Sequence, residues 1–244
     1  MPVYNRERYV VSALRSLVRQ RDATDLDIIV IDDGSTDGSA EAVRSFMGES
    51  ACIRLFHQSN MGVAKARNAG LRQLPPGCEF VSFLDSDDIS VAGRFKADLA
   101  CFVAKPGLEL TYSLMTLADR IDDETLEPTA DSRTMTLRGI SLGTAVFRRE
   151  LIERTGQFDE AFEQSEDTDY LLRIFETGPN YALLDTVAIY YRRHGANATR
   201  EHGDRLRNHL RAIHKSMRRR KADPSLREAP GIFELKSPAN WQMM

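Results

Sequence analysis

An α/β fold, with a mostly parallel sheet covered by helices on both faces, is predicted by three features of this sequence. Short apolar runs alternate with helical stretches from the N-terminus to about residue 105, the order that builds strand-helix-strand units. Two of the runs, Asp27-Ile28-Ile29-Val30-Ile31 and Phe80-Val81-Ser82-Phe83-Leu84, are continuous rather than alternating, as strands buried on both faces are. Both lead into acidic loops, and in such sheets ligands sit beyond the carboxyl ends of the strands.

The elements follow in order. Tyr9, Val10, Ala13, Leu14, Leu17 and Val18 fall on one helical face, predicting a helix from about Arg6 to Gln20. The strand at Asp27–Ile31 stops at Asp32-Asp33-Gly34-Ser35-Thr36-Asp37-Gly38, a run of turn formers and cap residues. A helix fits Ser39–Met47, a strand Cys52–His57, and a helix Val63–Leu74 that Pro75-Pro76-Gly77 ends. The strand Glu79–Leu84 precedes a helix near Gly93–Ala104.

After Leu108 the pattern weakens. Strands fit Leu110–Leu117, Thr144–Phe147 and Ala182–Tyr191, a polar loop Asp119–Arg133, and a helical turn Arg148–Arg154. Asp167–Thr177 reads as a helix whose opening acids suit its positive N-terminal end. From Arg192 to Lys221 the chain is strongly basic, with Glu201 and Asp204 its only acids. Leu206, Leu210, Ile213 and Met217 make one narrow helical stripe there. Two readings fit: a docked helix whose charges face water, or a segment that approaches an anionic membrane. Residues 223–244 hold three prolines and read as a loose or docked tail.

Composition narrows the function. With 244 residues and 42% hydrophobic content the chain can bury a core. A net charge of −3, and no aromatics among the clustered cations, argue against a nucleic-acid partner. No apolar stretch approaches membrane-spanning length, and Met1–Arg6 lacks the apolar core of a signal peptide. Cys52, Cys78 and Cys101 fit neither a zinc spacing nor a disulfide framework, so we expect buried structural thiols in a reducing compartment.

Asp85-Ser86-Asp87-Asp88, directly behind a predicted strand, is the most informative segment. Three carboxylates this close repel one another unless a cation or polar chemistry uses them. Oxygen ligands at one loop suit Mg²⁺ or Mn²⁺, ions that bring phosphate oxygens with them. A solvated acidic turn capping the next helix is the other reading.

Several motifs together carry a resemblance. They are Pro2-Val3-Tyr4-Asn5, Ile31–Ser39, Asn60–Gly70, Phe83–Asp88, Gly156–Glu160, Glu166–Tyr170 and Tyr191-Arg192-Arg193-His194. In this order they resemble glycosyltransferase family 2, over about residues 1–195. The resemblance implies a GT-A, Rossmann-like fold, with a nucleotide-binding half over about 1–105 and an acceptor half over 106–195. A basic helical extension, 196–222, and the tail, 223–244, follow. It also implies a nucleotide-sugar donor, UDP-linked by default, Mn²⁺ or Mg²⁺ as cofactor, and transfer with inversion.

By the same resemblance Pro2 and Tyr4 line the base and ribose, or simply form a helix-entry turn. Asp33 accepts a hydrogen bond from the pyrimidine ring, or serves as a turn residue. Asp85 holds the ribose or a metal-bound water. Asp87 ligates the metal, and Asp88 orients the acceptor or caps a helix. Arg67, with Lys65 nearby, contacts the phosphate side or is a surface charge. Asp167 is the general base, ionised at neutral pH by the helix N-terminus, and Glu166 binds acceptor; capping alone is the alternative. His194 reaches the metal or diphosphate, or lies on the surface.

The family's first strand precedes Pro2 and is expected to be missing here, leaving unpaired backbone beside the nucleotide site. The expected function is inverting glycosyl transfer to a carbohydrate or lipid-linked acceptor in bacterial polysaccharide, glycolipid or glycoconjugate synthesis. The expected place is the cytoplasm, peripheral to the inner face of the membrane. A non-catalytic nucleotide-sugar-binding paralogue is the alternative. A nucleotidyltransferase would want a Gly-rich, Lys- or Arg-bearing N-terminal loop, which is not seen.

Overall fold

A computed structural model describes residues 1–21, 24–48, 50, 52–195 and 202–231, with the backbone alone at 202–205. Arg200, Glu201 and most of the predicted tail lie outside the described residues. Three parallel strands, β1 (Pro2–Val3), β2 (Ile28–Asp33) and β3 (Ile53–Gln58), form the first sheet in that order.

The strand expected to be missing is therefore present in part. Pro2 and Val3 pair with Ile31 and Asp32. The ladder extends to Met1, whose nitrogen donates to the Ile29 carbonyl at 2.8 Å and whose carbonyl accepts from the Ile31 N–H at 2.9 Å. A ladder needs backbone, not an apolar run, so Met1–Val3 pair with the edge of β2 from Ile29 to Asp32.

Helices cover both faces of this sheet. α1 (Val10–Val18) and α2 (Ser39–Met47) pack Val10, Leu14, Leu17, Val43 and Phe46 with Ile28, Val30 and Ile53 in one core. α3 (Val63–Arg72) lies on the other face, where Gly70 comes close to the Ile31 side chain. Alternate residues of β2 thus serve opposite layers, which is why the run is continuously apolar.

The second sheet is built differently. It contains β4 (Phe80–Ser82), β5 (Ile89–Ser90), β6 (Leu110–Ala118), β7 (Thr134–Leu137), β8 (Ala145–Arg148) and β9 (Tyr181–Arg192). β6 pairs parallel with β9; the other pairings, β4 with β8, β6 with β8, β6 with β7 and β5 with β9, are antiparallel. Parallel pairing thus holds throughout the first sheet and at one ladder of the second. β5 and β7 are too short and too mixed in pattern for periodicity to reveal.

α4 (Arg94–Ala104), α5 (Arg149–Thr155) and α6 (Glu166–Glu176) pack on this sheet. A second core of Val81, Phe83, Tyr112, Phe147, Leu151, Phe158, Tyr170 and Phe175 lies beneath the start of α6. α7 (His202–Ala222) docks against α6. The three cysteines are unpaired and half-buried.

Candidate active site

The loop after β2 is stitched to the segment after β1. Asp32 accepts from the Ser35 N–H at 3.3 Å, Asn5 Oδ1 from the Thr36 N–H at 2.8 Å, and Glu7 from the Gly38 N–H at 3.0 Å. Asp37 caps α2 through the Ser39 N–H at 3.0 Å. Gly34 has φ +73°, and a Cβ there would stand 2.6 Å from the Asn60 nitrogen, so the turn requires glycine.

Asp33 is buried and accepts from Gln58 Nε2 at 2.7 Å and from the Met61 and Gly62 N–H groups at 2.9 and 2.8 Å. The structure thus gives it the turn-fixing duty that the sequence left open beside base recognition. Tyr4 is exposed and Pro2 half-buried at the same edge. Lys65 forms no part of the ion-pair network described next.

The acidic loop gathers partners from distant parts of the chain. Asp87 Oδ2 accepts from Arg6 Nε at 3.0 Å, and His194 Nε2 lies 3.0 Å from the same oxygen. Tyr9 stacks on the His194 ring at 4.5 Å. Burial by itself would raise the Asp87 carboxyl. The His194 hydrogen bond and the Arg6 charge overcome it and hold the carboxyl below its ordinary value.

Asp88 points the other way. It is buried, accepts from the Arg192 N–H at 3.0 Å, and is pushed well up by burial and by its acidic neighbours Asp87 and Asp85. This corrects the expected acceptor contact: pairing of β5 with β9 turns the Asp88 carboxylate inward, where it holds the loop. Arg192, grouped by sequence with the basic tail, is instead a buried clamp. Its guanidinium donates to the Asp87 carbonyl at 3.1 Å and to Asp123 at 2.7 Å.

Arg67 joins this loop to the start of α6. Its Nη2 donates to Asp85 Oδ1 at 2.7 Å and its Nη1 donates to Glu166. The guanidinium is buried and lies 5.6 Å from the centre of the Phe158 ring, which itself stacks on Tyr170 at 3.9 Å. It is therefore no surface charge; Asp85, Glu166 and Asp167 outweigh the burial that opposes its charge. The Asp85 side chain remains 45% exposed, open to a ligand from the cleft side.

Ser165 precedes α6 with φ +64°, a conformation rare outside glycine, and this aims the first turn. Glu166 is buried and pushed up to about 7, first by burial, with the Arg67 charge opposing and Asp167 adding to the rise. Half-buried Asp167 accepts from the Thr168 N–H at 2.6 Å. Its carboxyl is also raised by burial, against the Arg67 charge and that hydrogen bond. The helix end favours the anion, but desolvation inside the cluster is the larger effect on this carboxyl.

Asn68 explains why α3 and Gly156–Glu160 recur together among the motifs. Buried Asn68 donates to the Phe158 carbonyl at 3.0 Å and to Glu160 at 2.9 Å, and accepts from the Phe158 N–H at 2.7 Å. These residues position Arg67 rather than touch a ligand.

The sequence profile described as glycosyl transferase family 2 matches residues 1–98, which hold the stitched loop, Arg67 and the acidic loop. Over that N-terminal stretch the chain is similar to glycosyltransferase family 2. It is 28% identical over 211 residues to the glycosyltransferase EpsJ of Bacillus subtilis, covering 79% of this chain and 59% of EpsJ. It is 26% identical to the chondroitin synthase of Escherichia coli, covering 90% of this chain and 32% of that enzyme. The chain thus spans less than two thirds of the length of these relatives.

Among solved structures, S. aureus TarS residues 1–349 in complex with UDP-GlcNAc superposes with a TM-score of 0.69 at 21% identity, covering 88% of this chain and 63% of that one. The mannosyltransferase PcManGT from Pyrobaculum calidifontis, in complex with GDP-Man and Mn²⁺, gives 0.62 at 21% identity, covering 94% and 64%. At that identity the likeness is one of fold, and it establishes the GT-A architecture.

Arg6, Tyr9 and the clamp role of Arg192 are what sequence reasoning missed. The helix expected from Arg6 begins only at Val10, and Arg6 lies ahead of it, where it reaches Asp87. The one available signal was its place directly after the Pro2–Asn5 motif.

Proposed function

We propose that this chain is an inverting glycosyltransferase moving a sugar from a UDP-linked donor to a hydroxyl acceptor in polysaccharide, glycolipid or glycoconjugate synthesis. The observation that carries this reading is Arg67, whose one guanidinium pairs with Asp85 of the acidic loop and with Glu166 beside Asp167. It draws the two carboxylate groups that such a transfer needs into one site. The nucleotide sugars bound by TarS and PcManGT support the donor class.

Pro2, Tyr4 and Asp33 line the base side, and the exposed Asp85 carboxylate receives the ribose. Asp167 takes the proton of the acceptor hydroxyl as that oxygen attacks the anomeric carbon and the bond to the diphosphate breaks. A carboxyl raised above its ordinary value is the stronger base for this step. Glu166 lies next to it on the acceptor side. Attack opposite the leaving group inverts the configuration, as with paired carboxylates in inverting hydrolysis.

Asp87 and His194 offer a carboxylate oxygen and an imidazole nitrogen, a donor pair suited to Mn²⁺. No set of three or more His, Cys, Asp or Glu side chains placed to hold an ion occurs among the described residues, so the diphosphate would complete the coordination. A divalent cation held there supplies charge neutralisation on the leaving diphosphate. We place the chain in the cytoplasm, peripheral to the inner face of the membrane.

The test is calorimetry of UDP with and without Mn²⁺, with Asp87→Ala as control. Binding that needs the ion and is lost in the variant is expected. Ion-independent binding, unchanged by the substitution, would sink the assignment of Asp87. UDP binding without release of UDP from any UDP-sugar and acceptor pair would favour the non-catalytic paralogue.

A further inference from the structure

We infer that the outward face of α7 is a docking surface for an anionic lipid bilayer. Helical periodicity alone would send Leu206, Leu210, Ile213 and Met217 into the core. The structure leaves them outside, 61%, 55%, 38% and 57% exposed. The helix docks by its opposite side, where Ala212 and Ser216 are buried. Lys215 pairs with Asp159, and Arg219 pairs with Asp169 at 2.8 Å and Glu176 at 2.7 Å. Polar pairing to the acids of α6 thus fixes which way α7 faces, and the apolar stripe is left over.

A parallel row borders that stripe. Arg207, His214, Arg218 and Lys221 are exposed and follow one another at seven, four and three residues. From Arg205 to Ala222 there is no acidic residue. A narrow apolar stripe bordered by Arg207, Arg218 and Lys221 is the pattern of a helix that lies in a bilayer surface. The side chains enter between headgroups, and the cations meet anionic lipid. A second copy of the chain would bring like rows of cations together, which disfavours self-pairing through this face. No helix among the described residues is long and apolar enough to cross a membrane, so the contact is peripheral.

α7 also holds the segment that leads into the proposed base, since Arg211 donates to the Ala161 carbonyl at 3.0 Å. Docking through α7 would therefore set the acceptor side of the site near the lipid surface. The inference deepens the proposed function by naming the face that meets the membrane.

The test is flotation of the full chain with vesicles of phosphatidylcholine alone and of phosphatidylcholine with phosphatidylglycerol. Binding to the anionic vesicles, weakening as salt rises, is expected. The double variant Leu210→Ser/Met217→Ser should bind them about tenfold more weakly with unchanged melting temperature. Arg218→Gln/Lys221→Gln should lose most of the preference for anionic lipid. Equal binding of wild type and the serine variant, or no vesicle binding at all, would overturn the inference. So would a serine variant that loses melting temperature or changes oligomeric state, because the face would then be covered by the chain itself or by a second copy. UDP binding is measured on the same samples. Vesicle binding without UDP binding would keep the surface and remove the proposed donor, and the reverse would do the opposite.

Discussion

The two carboxylate groups of the site, the loop at Asp85–Asp88 and the first turn of α6, are both acidic, both largely buried and both held by arginines. Asp88, at the back of the loop, is raised like the α6 pair, but the proton affinity of Asp87 moves the other way. Asp87, with Arg6 and His194 on one oxygen, is held below its ordinary value. Glu166 and Asp167, sharing the single cation of Arg67, are raised. The difference lies in the ratio of cation to carboxylate, not in burial, since burial pushes all three upward. A group kept ionised suits a cation or a charged leaving group, and a group with raised proton affinity suits proton transfer.

The largest expected effect comes from breaking the second region. Asp167→Asn should lower kcat by about 10²–10⁴-fold, the usual worth of a general base, while leaving the KM for donor nearly unchanged. Steady-state kinetics on a productive donor and acceptor pair checks this. An equal fall in donor affinity would mean that Asp167 belongs to the donor side.

Arg67→Met comes next, because it removes the group shared by both regions. Stripping one partner from a buried ion pair costs about 3–5 kcal/mol. Glu166 is already raised, so it can take up a proton, and the loss should be smaller at pH 5 than at pH 8. Urea unfolding at the two pH values measures it. A pH-independent loss would place the damage in the packing on Phe158 instead.

Arg6→Gln sharpens the first region with a smaller effect. Arg6 occupies the Asp87 oxygen that a metal would want. Removing a partly exposed pair of roughly 1 kcal/mol should tighten Mn²⁺ binding, without nucleotide, by about fivefold. Loss of the free Mn²⁺ resonance signal on titration reports it. Unchanged or weaker affinity would show that Arg6 does not compete.

The legibility of the molecule divides along the same line. β2, β3 and the loops and helices around them were readable because each is contiguous in sequence and pairing is parallel in sequence order. Asp85, Asp87, Glu166 and Asp167 could be named for the same reason. His194 was expected beside the acidic loop, but the convergence of Arg6 and Arg192 on it could not be read, and that of Arg192 depends on the two-residue pairing of β5 with β9 across about a hundred positions. Asp88 faces inward for that reason alone. α7 was legible as a helix, but not in its orientation, because ion pairs to α6 override the apolar periodicity that usually decides which face is buried. The first strand has no apolar run to signal it, because the ladder at Met1–Val3 needs only backbone.

The smallest effect tests the raised carboxyl itself. Glu166 moves from the ordinary 4.5 to about 7 in the folded chain, so the folded state holds that proton more tightly than the unfolded state between these values. Stability tied to Glu166 is therefore fully present below about pH 4.5 and is lost as pH rises through about 7. Glu166→Gln carries no titrating group there, so its melting temperature should fall less than that of wild type across this window. In Asp167→Asn one of the charges that raises Glu166 is gone, so the fall should start at the same pH as in wild type but end at a lower one. Parallel melting curves for all three proteins would show that Arg67 fully compensates Glu166, and the two regions would then differ in the identity of their partners rather than in proton affinity.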